Sequence, residues 1–238
     1  MTGSRPRISV IIPVLDGERF LAEAIESALG QSSAPIEIVV VDDGSTDDTP
    51  GVVARFGAAV RYLHQPRGGA AAARNRGVVT AQGEVFAFLD ADDRWTPEAL
   101  GTGVAALETD EAAELTVGQV VEVSQAAWEG RVALGPPPPG SGVPGYVPGA
   151  CLVPRSTWER VGAFDTGLRA GEFIDWYLRA RALGVRTRLL SAVVLWRRLH
   201  DANHGIRARP AYVDLTRVVK RELDRRKASA TPPPGANP

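Results

Sequence analysis

Twice in the first hundred residues a continuous apolar run breaks off in aspartates. IEIVVVDDGS (36–45) ends in Asp42-Asp43, and EVFAFLDADD (84–93) ends in Asp90 with Asp92-Asp93. An apolar, β-branched run without polar alternation predicts a strand covered on both faces, the kind that parallel sheets use. ISVIIPV (8–14) is a third such run, and VRYLHQ (60–65) reads as a shorter strand. Helical patterns lie between them. GERFLAEAIESALGQ (17–31) has Phe20, Leu21, Ala24, Ile25, Ala28 and Leu29 at helical spacing, with Gly30 as its stop. STDDTPGVVARFG carries Thr49 as a cap before a first-turn Pro50. GGAAAARNRGVVTA (68–81) is a glycine turn feeding an alanine-rich helix, and TPEALGTGVAAL (96–107) opens on a second Thr-Pro cap. This alternation predicts an α/β chain: a mostly parallel, doubly wound sheet with helices on both faces. Ligands of such sheets sit outside the carboxyl ends of the strands, which is where the aspartates fall. Carboxylates stacked at one edge repel unless a cation binds. A divalent metal, Mg2+ or Mn2+, suits such hard oxygen ligands.

The second half is less regular. GQVVEVSQ (118–125) alternates like an edge strand. GPPPPGSGVPGYVPG (135–149) holds six of the 18 prolines and reads as an extended loop that could close over a bound donor. GACLVPRSTWERVGAFD (149–165) predicts a strand and a short helix, GEFIDWYLRARALG (171–184) a helix, and RTRLLSAVVLWRR (186–198) a last strand. AYVDLTRVVKRELDRRK (211–227) predicts an amphipathic helix with Tyr212, Leu215, Val219 and Leu223 on its apolar face. Its opposite face carries Arg217, Lys220, Arg221, Arg225, Arg226 and Lys227, which suits a packed helix with a solvated face or a peripheral membrane contact. The Pro-rich end reads as a disordered tail.

Composition narrows the class. A chain of 238 residues can bury a core without staples, and its single cysteine, Cys151, excludes a disulfide framework. The net charge of -1 conceals a division. Residues 1–150 carry 10 Lys+Arg against 20 Asp+Glu, whereas residues 151–238 carry 17 against 8. An acidic half beside a basic half suits a site holding a metal on one side and an anion on the other. No basic-aromatic interleaving points to nucleic acid. The chain shows neither a bilayer-spanning run nor a signal h-region, so the expectation is a soluble, cytoplasmic protein.

The series ISVIIPVLDGERFLAEAIESALGQ, IEIVVVDDGSTDDT and GGAAAARNRGVVTAQGEVFAFLDADDRW resembles the family 2 glycosyltransferases of the GT-A fold. The likeness covers about residues 7–205 and is strongest in 7–98. It implies an inverting transferase that moves a sugar from a nucleoside diphosphate sugar, UDP by preference, to an acceptor such as a glycan, a peptide or a small natural product. It implies nucleotide contacts at Pro13, Asp16, Asp43, Arg74, Asp90 and Ala91, with Asp43 reading the pyrimidine ring N–H in plane. Gly68-Gly69 would admit close backbone approach, and the helix behind it would favour phosphate. Asp90-Ala91-Asp92 matches the D-x-D motif, so Asp92 would ligate Mn2+ or Mg2+, with Asp93 as an alternative. LWRRLHDANHG (195–205) resembles the R-x-H element, which implies His200 as a second ligand and offers Arg197 and Arg198 to the diphosphate. Gly149-Ala150 would line the sugar pocket, while Trp158 and Phe164 read as core.

One departure stands out. The family shows Glu-Asp at a helix start, its aspartate serving as base. Here the chain reads GEFIDW, with Phe173 at the aspartate's place. Asp175 is the first choice of base and Glu172 the second, unless Asp175 pairs with Arg179 one turn on. The resemblance divides the chain into a nucleotide-sugar half (1–98), an acceptor and catalytic half (99–209) and the tail helix (210–238). Two alternatives remain. One is a non-catalytic nucleotide-sugar-binding partner protein. The other is a sugar nucleotidyltransferase, which the lack of a glycine-rich basic loop after the first strand disfavours.

Overall fold

The computed structural model describes residues 6–110, 112–129, 140–200 and 212–230, with the backbone alone at 212, 213, 226 and 228–230. The first half alternates as its pattern predicts: β1 (Ile8–Val14), α1 (Leu21–Leu29), β2 (Glu37–Asp42), α2 (Thr49–Ala54), β3 (Arg61–His64), α3 (Ala70–Thr80) and β4 (Val85–Phe88). Then come β5 (Arg94–Trp95), α4 (Ala99–Thr109), β6 (Leu115–Ser124), α5 (Gln125–Glu129), β7 (Val143–Pro144), β8 (Cys151–Pro154), α6 (Arg155–Val161), α7 (Glu172–Ala182), β9 (Thr187–Leu199) and α8 (Tyr212–Ala230).

The strands form one sheet in the order β3-β2-β1-β4-β8-β6-β9-β5, with β7 on β6. The α/β class holds. β3-β2-β1-β4 is wholly parallel, whereas β8 enters antiparallel to both β4 and β6, and β6 runs parallel to β9. Every residue of β1 and β4 is buried, as continuous apolar runs require. Successive side chains alternate between faces. Val10, Ile12 and Val14 join Leu21, Ile25, Val52 and Leu100 on the α1, α2 and α4 side. Ile11, Phe86 and Phe88 join Val78, Trp158, Phe164 and Trp176 on the α3, α6 and α7 side. The alanine-rich α3 lets its backbone lie close to β1: a Cβ on Gly77 would stand 2.4 Å from Ile11 Cγ2.

Among the described residues, 118–125 keep an open edge beyond Val120, as their alternation predicts: β9 runs along β6 to Ser124, while β8 meets it only at Thr116 and Val117 and β7 only at Gln119 and Val120. Two expectations change. The Pro/Gly segment is not wholly irregular, since Val143–Pro144 pairs with β6 and Pro148–Ala150 forms a 3-10 turn. Residues 135–139 of that expected lid lie outside the described residues, as do His204 and the tail from 231. In α8 the inward positions are Asp214 and Val218, both fully buried, while Val219 and Leu223 are 57% and 51% exposed. Ion pairs to the α6–α7 segment dictate that orientation: Asp214 bonds Arg169, and Arg221 bonds Asp165.

Candidate active site

β1, β2 and β4 end at one edge, as a parallel sheet with right-handed crossovers demands. The two aspartates closing β2 have separate roles. Asp42 is fully buried and accepts from Ser45 N–H at 2.8 Å and Tyr62 O–H at 2.5 Å. Burial alone would raise its carboxyl, but these hydrogen bonds outweigh it and hold the group below the usual carboxylate range. The Tyr62 phenol is pushed up by burial and by Asp42.

Asp43 faces the start of α3. Its Oδ1 accepts from Gln65 Nε2 at 2.7 Å and from Gly68 N at 2.8 Å, and its Oδ2 accepts from Gly69 N at 2.7 Å. Gly69 takes φ +90° at the N-cap of α3, a conformation that L side chains adopt at a cost. The anion at this helix N-terminus is therefore the chain's own carboxylate, and Gly68 and Gly69 already donate to it. Asp16, at φ 51°, clamps the neighbouring loop by accepting from Thr46 N at 2.8 Å. Pro13 is buried within β1.

The Asp90-Ala91-Asp92 turn follows β4, closed by Asp93 N–H to Asp90 C=O at 3.1 Å. Arg74 reaches it from α3. Its Nη2 donates to Asp90 Oδ1 at 2.5 Å and its Nη1 to Glu172 Oε1 at 2.6 Å. Its side chain is 5% exposed, and its Nε is buried without a partner. Burial opposes the guanidinium charge, but Asp90 and Glu172 overcome it and raise the group. Arg74 thus bonds two carboxylates of the chain itself.

Asp92 Oδ2 lies 3.0 Å from His200 Nε2. Burial, then the charge of Asp90, raises the Asp92 carboxyl against the pull of His200. Burial followed by Asp92 and Asp90 raises Asp93 further. Acidic groups held above their usual range by burial and then by one another form a donor set that a cation would relieve. Asp92 and His200 supply an oxygen and a ring nitrogen at one point, which fits Mn2+ or Mg2+ with remaining positions left to phosphate oxygens and water. No group of three or more His, Cys, Asp or Glu suited to a metal occurs among the described residues. Asp93 is a poorer ligand than Asp92, being 5% exposed with Oδ1 accepting Arg198 N–H at 3.0 Å.

Other expected residues stand elsewhere. Asp175 does not join the cluster. It is 2% exposed, its Oδ2 accepts Arg179 Nε at 2.9 Å, and its Oδ1 lies 3.9 Å from Arg221. Two basic side chains, one turn on in α7 and one from α8, hold it in place as a structural ion pair. Glu172, the second choice, is the carboxylate at the edge. Phe173 packs with Phe164, Trp176 and Tyr177, and Trp158 and Phe164 are core as expected. Gly149 and Ala150 are buried, with Gly149 C=O accepting Trp95 Nε1 at 2.7 Å. Arg197 pairs with Glu122, and Arg198 is buried beneath the Asp90–Asp93 turn. Glu23, Phe20 and Trp128 surround Arg198. Sequence reasoning passed over these three, because an amphipathic helix and an isolated tryptophan carry no local sign of a shared partner.

Comparison with known proteins bears on this edge. Residues 9–158 match the sequence model for Glycosyl transferase family 2. An uncharacterized glycosyltransferase of Rickettsia felis is 45% identical over 94 residues, 39% of this chain and 16% of that protein. An uncharacterized glycosyltransferase of Nostoc sp. is 37% identical over 134 residues, 52% of this chain and 42% of that protein. These matches span less than half the length of either relative. Among solved structures, S. aureus TarS 1-349 in complex with UDP superimposes at TM-score 0.70 with 19% identity, over 91% of this chain and 65% of that one. The same protein in complex with UDP-GlcNAc gives 0.69 with 21% identity, over 83% and 60%. These likenesses establish the shared fold.

Proposed function

The chain belongs to glycosyl transferase family 2, and from that premise we propose that it transfers a sugar from a nucleoside diphosphate sugar to an acceptor hydroxyl, inverting the anomeric centre. The observation that carries this is the gathering of Asp90, Asp92, His200 and Glu172 at one edge, with Arg74 joining Asp90 to Glu172. A uridine donor is favoured because the TarS structures of the same fold are complexes with UDP and UDP-GlcNAc.

Glu172 is the proposed base. Arg74 donates to Oε1, and Oε2 has no hydrogen-bond partner among the described residues. An acceptor hydroxyl bonded to Oε2 gives up its proton as it attacks the anomeric carbon. Attack comes from the face opposite the nucleoside diphosphate. Arg74 keeps the carboxylate oriented and balances its charge. Asp92 and His200 would hold Mn2+ or Mg2+, which when bound supplies positive charge for the departing diphosphate. The acceptor class is a hydroxyl-bearing glycan, peptide or small molecule.

One observation favours a second reading. Phe173 is 3% exposed in an aromatic cluster at the place where the family carries aspartate. If Glu172 does not serve, the chain is a nucleotide-sugar-binding partner without a base. Calorimetry of UDP, GDP and dTDP with and without Mn2+, on wild type and Asp92→Ala, tests the donor reading. Mn2+-dependent UDP binding lost in the variant is the expected result, and absence of binding to all three nucleotides overturns it. Turnover with a UDP-sugar then separates enzyme from binding protein.

A further inference from the structure

We propose that Arg198 is a positioning residue that aims Asp92 and His200 at one point from beneath the Asp90–Asp93 turn, and does not itself contact the diphosphate. This rests on the reading of that turn as the donor edge. The arginine is 2% exposed. Its Nε donates to the Asp92 carbonyl at 3.0 Å, its backbone N–H to Asp93 Oδ1 at 3.0 Å, and its Nη2 to Glu23 Oε2 at 2.9 Å. The guanidinium lies 3.8 Å from the ring centroid of Trp128 and 4.3 Å from that of Phe20. Glu23 Oε2 also accepts from Trp128 Nε1 at 2.8 Å.

The arrangement sets both proposed ligands. Asp92 is held through its own carbonyl. His200 lies two residues beyond Arg198 in the same chain, and its ring packs on Phe20 at 4.7 Å between centroids. Phe20 is thus shared between the guanidinium and the imidazole. Only a planar, forked cation can fill the slot between two rings while bonding a carbonyl on one edge and a carboxylate on the other. Lysine keeps the charge but loses the fork. Partners that orient metal ligands in this manner typically change metal affinity by about 10- to 100-fold when replaced.

The experiment measures UDP affinity with and without Mn2+ for wild type, Arg198→Lys, Glu23→Gln and, as a control remote from the edge, Arg160→Lys on α6, which pairs with Glu114, with the melting temperature of each. The expected result is at least a tenfold loss of the Mn2+-dependent gain in Arg198→Lys, a smaller loss in Glu23→Gln and none in Arg160→Lys. Metal-free UDP affinity stays near that of wild type. A wild-type Mn2+ gain in Arg198→Lys overturns the inference. So does a loss of metal-free and metal-dependent binding in the same proportion, tracking a fall in melting temperature. If wild-type protein shows no Mn2+-dependent binding at all, the donor reading fails and takes the inference with it, an outcome visible before any variant is examined.

Discussion

Arg74 and Glu172 stand 98 positions apart in the chain, yet Nη1 of one lies 2.6 Å from Oε1 of the other. The same guanidinium donates to Asp90, so one buried cation joins α3, the turn after β4 and the head of α7. Removing it leaves two carboxylates facing each other. Arg74→Ala is expected to cost roughly 2–3 kcal/mol, less than the about 3–5 of a fully buried pair, because the Asp90 side chain is 38% exposed. Urea denaturation checks this, and adding Glu172→Gln should recover part of the loss.

Glu172 and Asp175 are expected to separate by function. Glu172→Gln is expected to lower turnover by about 10²- to 10⁴-fold with little change in UDP affinity. Asp175→Asn is expected to keep turnover within about tenfold while lowering stability, since Arg179 and Arg221 lose the charge they surround. Single-turnover rates beside melting curves distinguish the two, and equal losses of turnover would reverse the assignment.

Asp43 accepts from three donors, Gln65 Nε2 and the two N–H groups of the Gly68-Gly69 turn. In Asp43→Asn an amide NH2 must face at least one N–H group. The expected loss is about 2–3 kcal/mol from charge-assisted bonds, with UDP affinity falling because the turn moves. Asp43→Asn of wild-type stability would show that the turn holds itself.

Asp42 makes stability depend on acid. Its folded carboxyl lies below the usual range, so its contribution is complete above the unfolded value of about 4 and is lost as pH falls through the lower folded value. The stability difference between wild type and Asp42→Asn should be largest near neutrality and shrink below about pH 4. Urea midpoints across that range measure it, and a difference independent of pH would refute the ionised role.

The peripheral membrane contact that the sequence offered for 211–227, as the alternative to a packed helix, rests on a different set of residues. Val219 and Leu223 are half-exposed on α8, and Lys220 and Lys227 are exposed. Co-sedimentation with phosphatidylserine vesicles is the expected outcome, absent with phosphatidylcholine alone and weakened by salt and by Lys220→Glu with Lys227→Glu. Equal sedimentation with both lipids, or none, overturns it.

The strands that make the edge were legible because burial on both faces leaves a local signature. β1, β2 and β4 need unbroken apolar runs, and the change to aspartate marks where each leaves the sheet. The spacing of Glu172 and Asp175 was equally legible, but not which of them meets the edge. Arg74 from α3 claims one, while Arg179 and Arg221 claim the other, and Arg221 belongs to a helix that begins 37 residues beyond Asp175. The same holds for α8, where periodicity marked Val219 and Leu223 as inward but ion pairs to Asp165 and Arg169 turned Val218 and Asp214 in. Asp43 and Arg198 read as ligand contacts, and the fold adds partners that the sequence did not show, the Gly68 and Gly69 N–H groups for one and Glu23 for the other. Periodicity and turn chemistry act over a few residues, so sequence alone determined the elements and the edge at which they end. Partner choice for a buried charge depends on groups brought together from distant segments, because it must be neutralised where it is buried, and tertiary structure alone decided it.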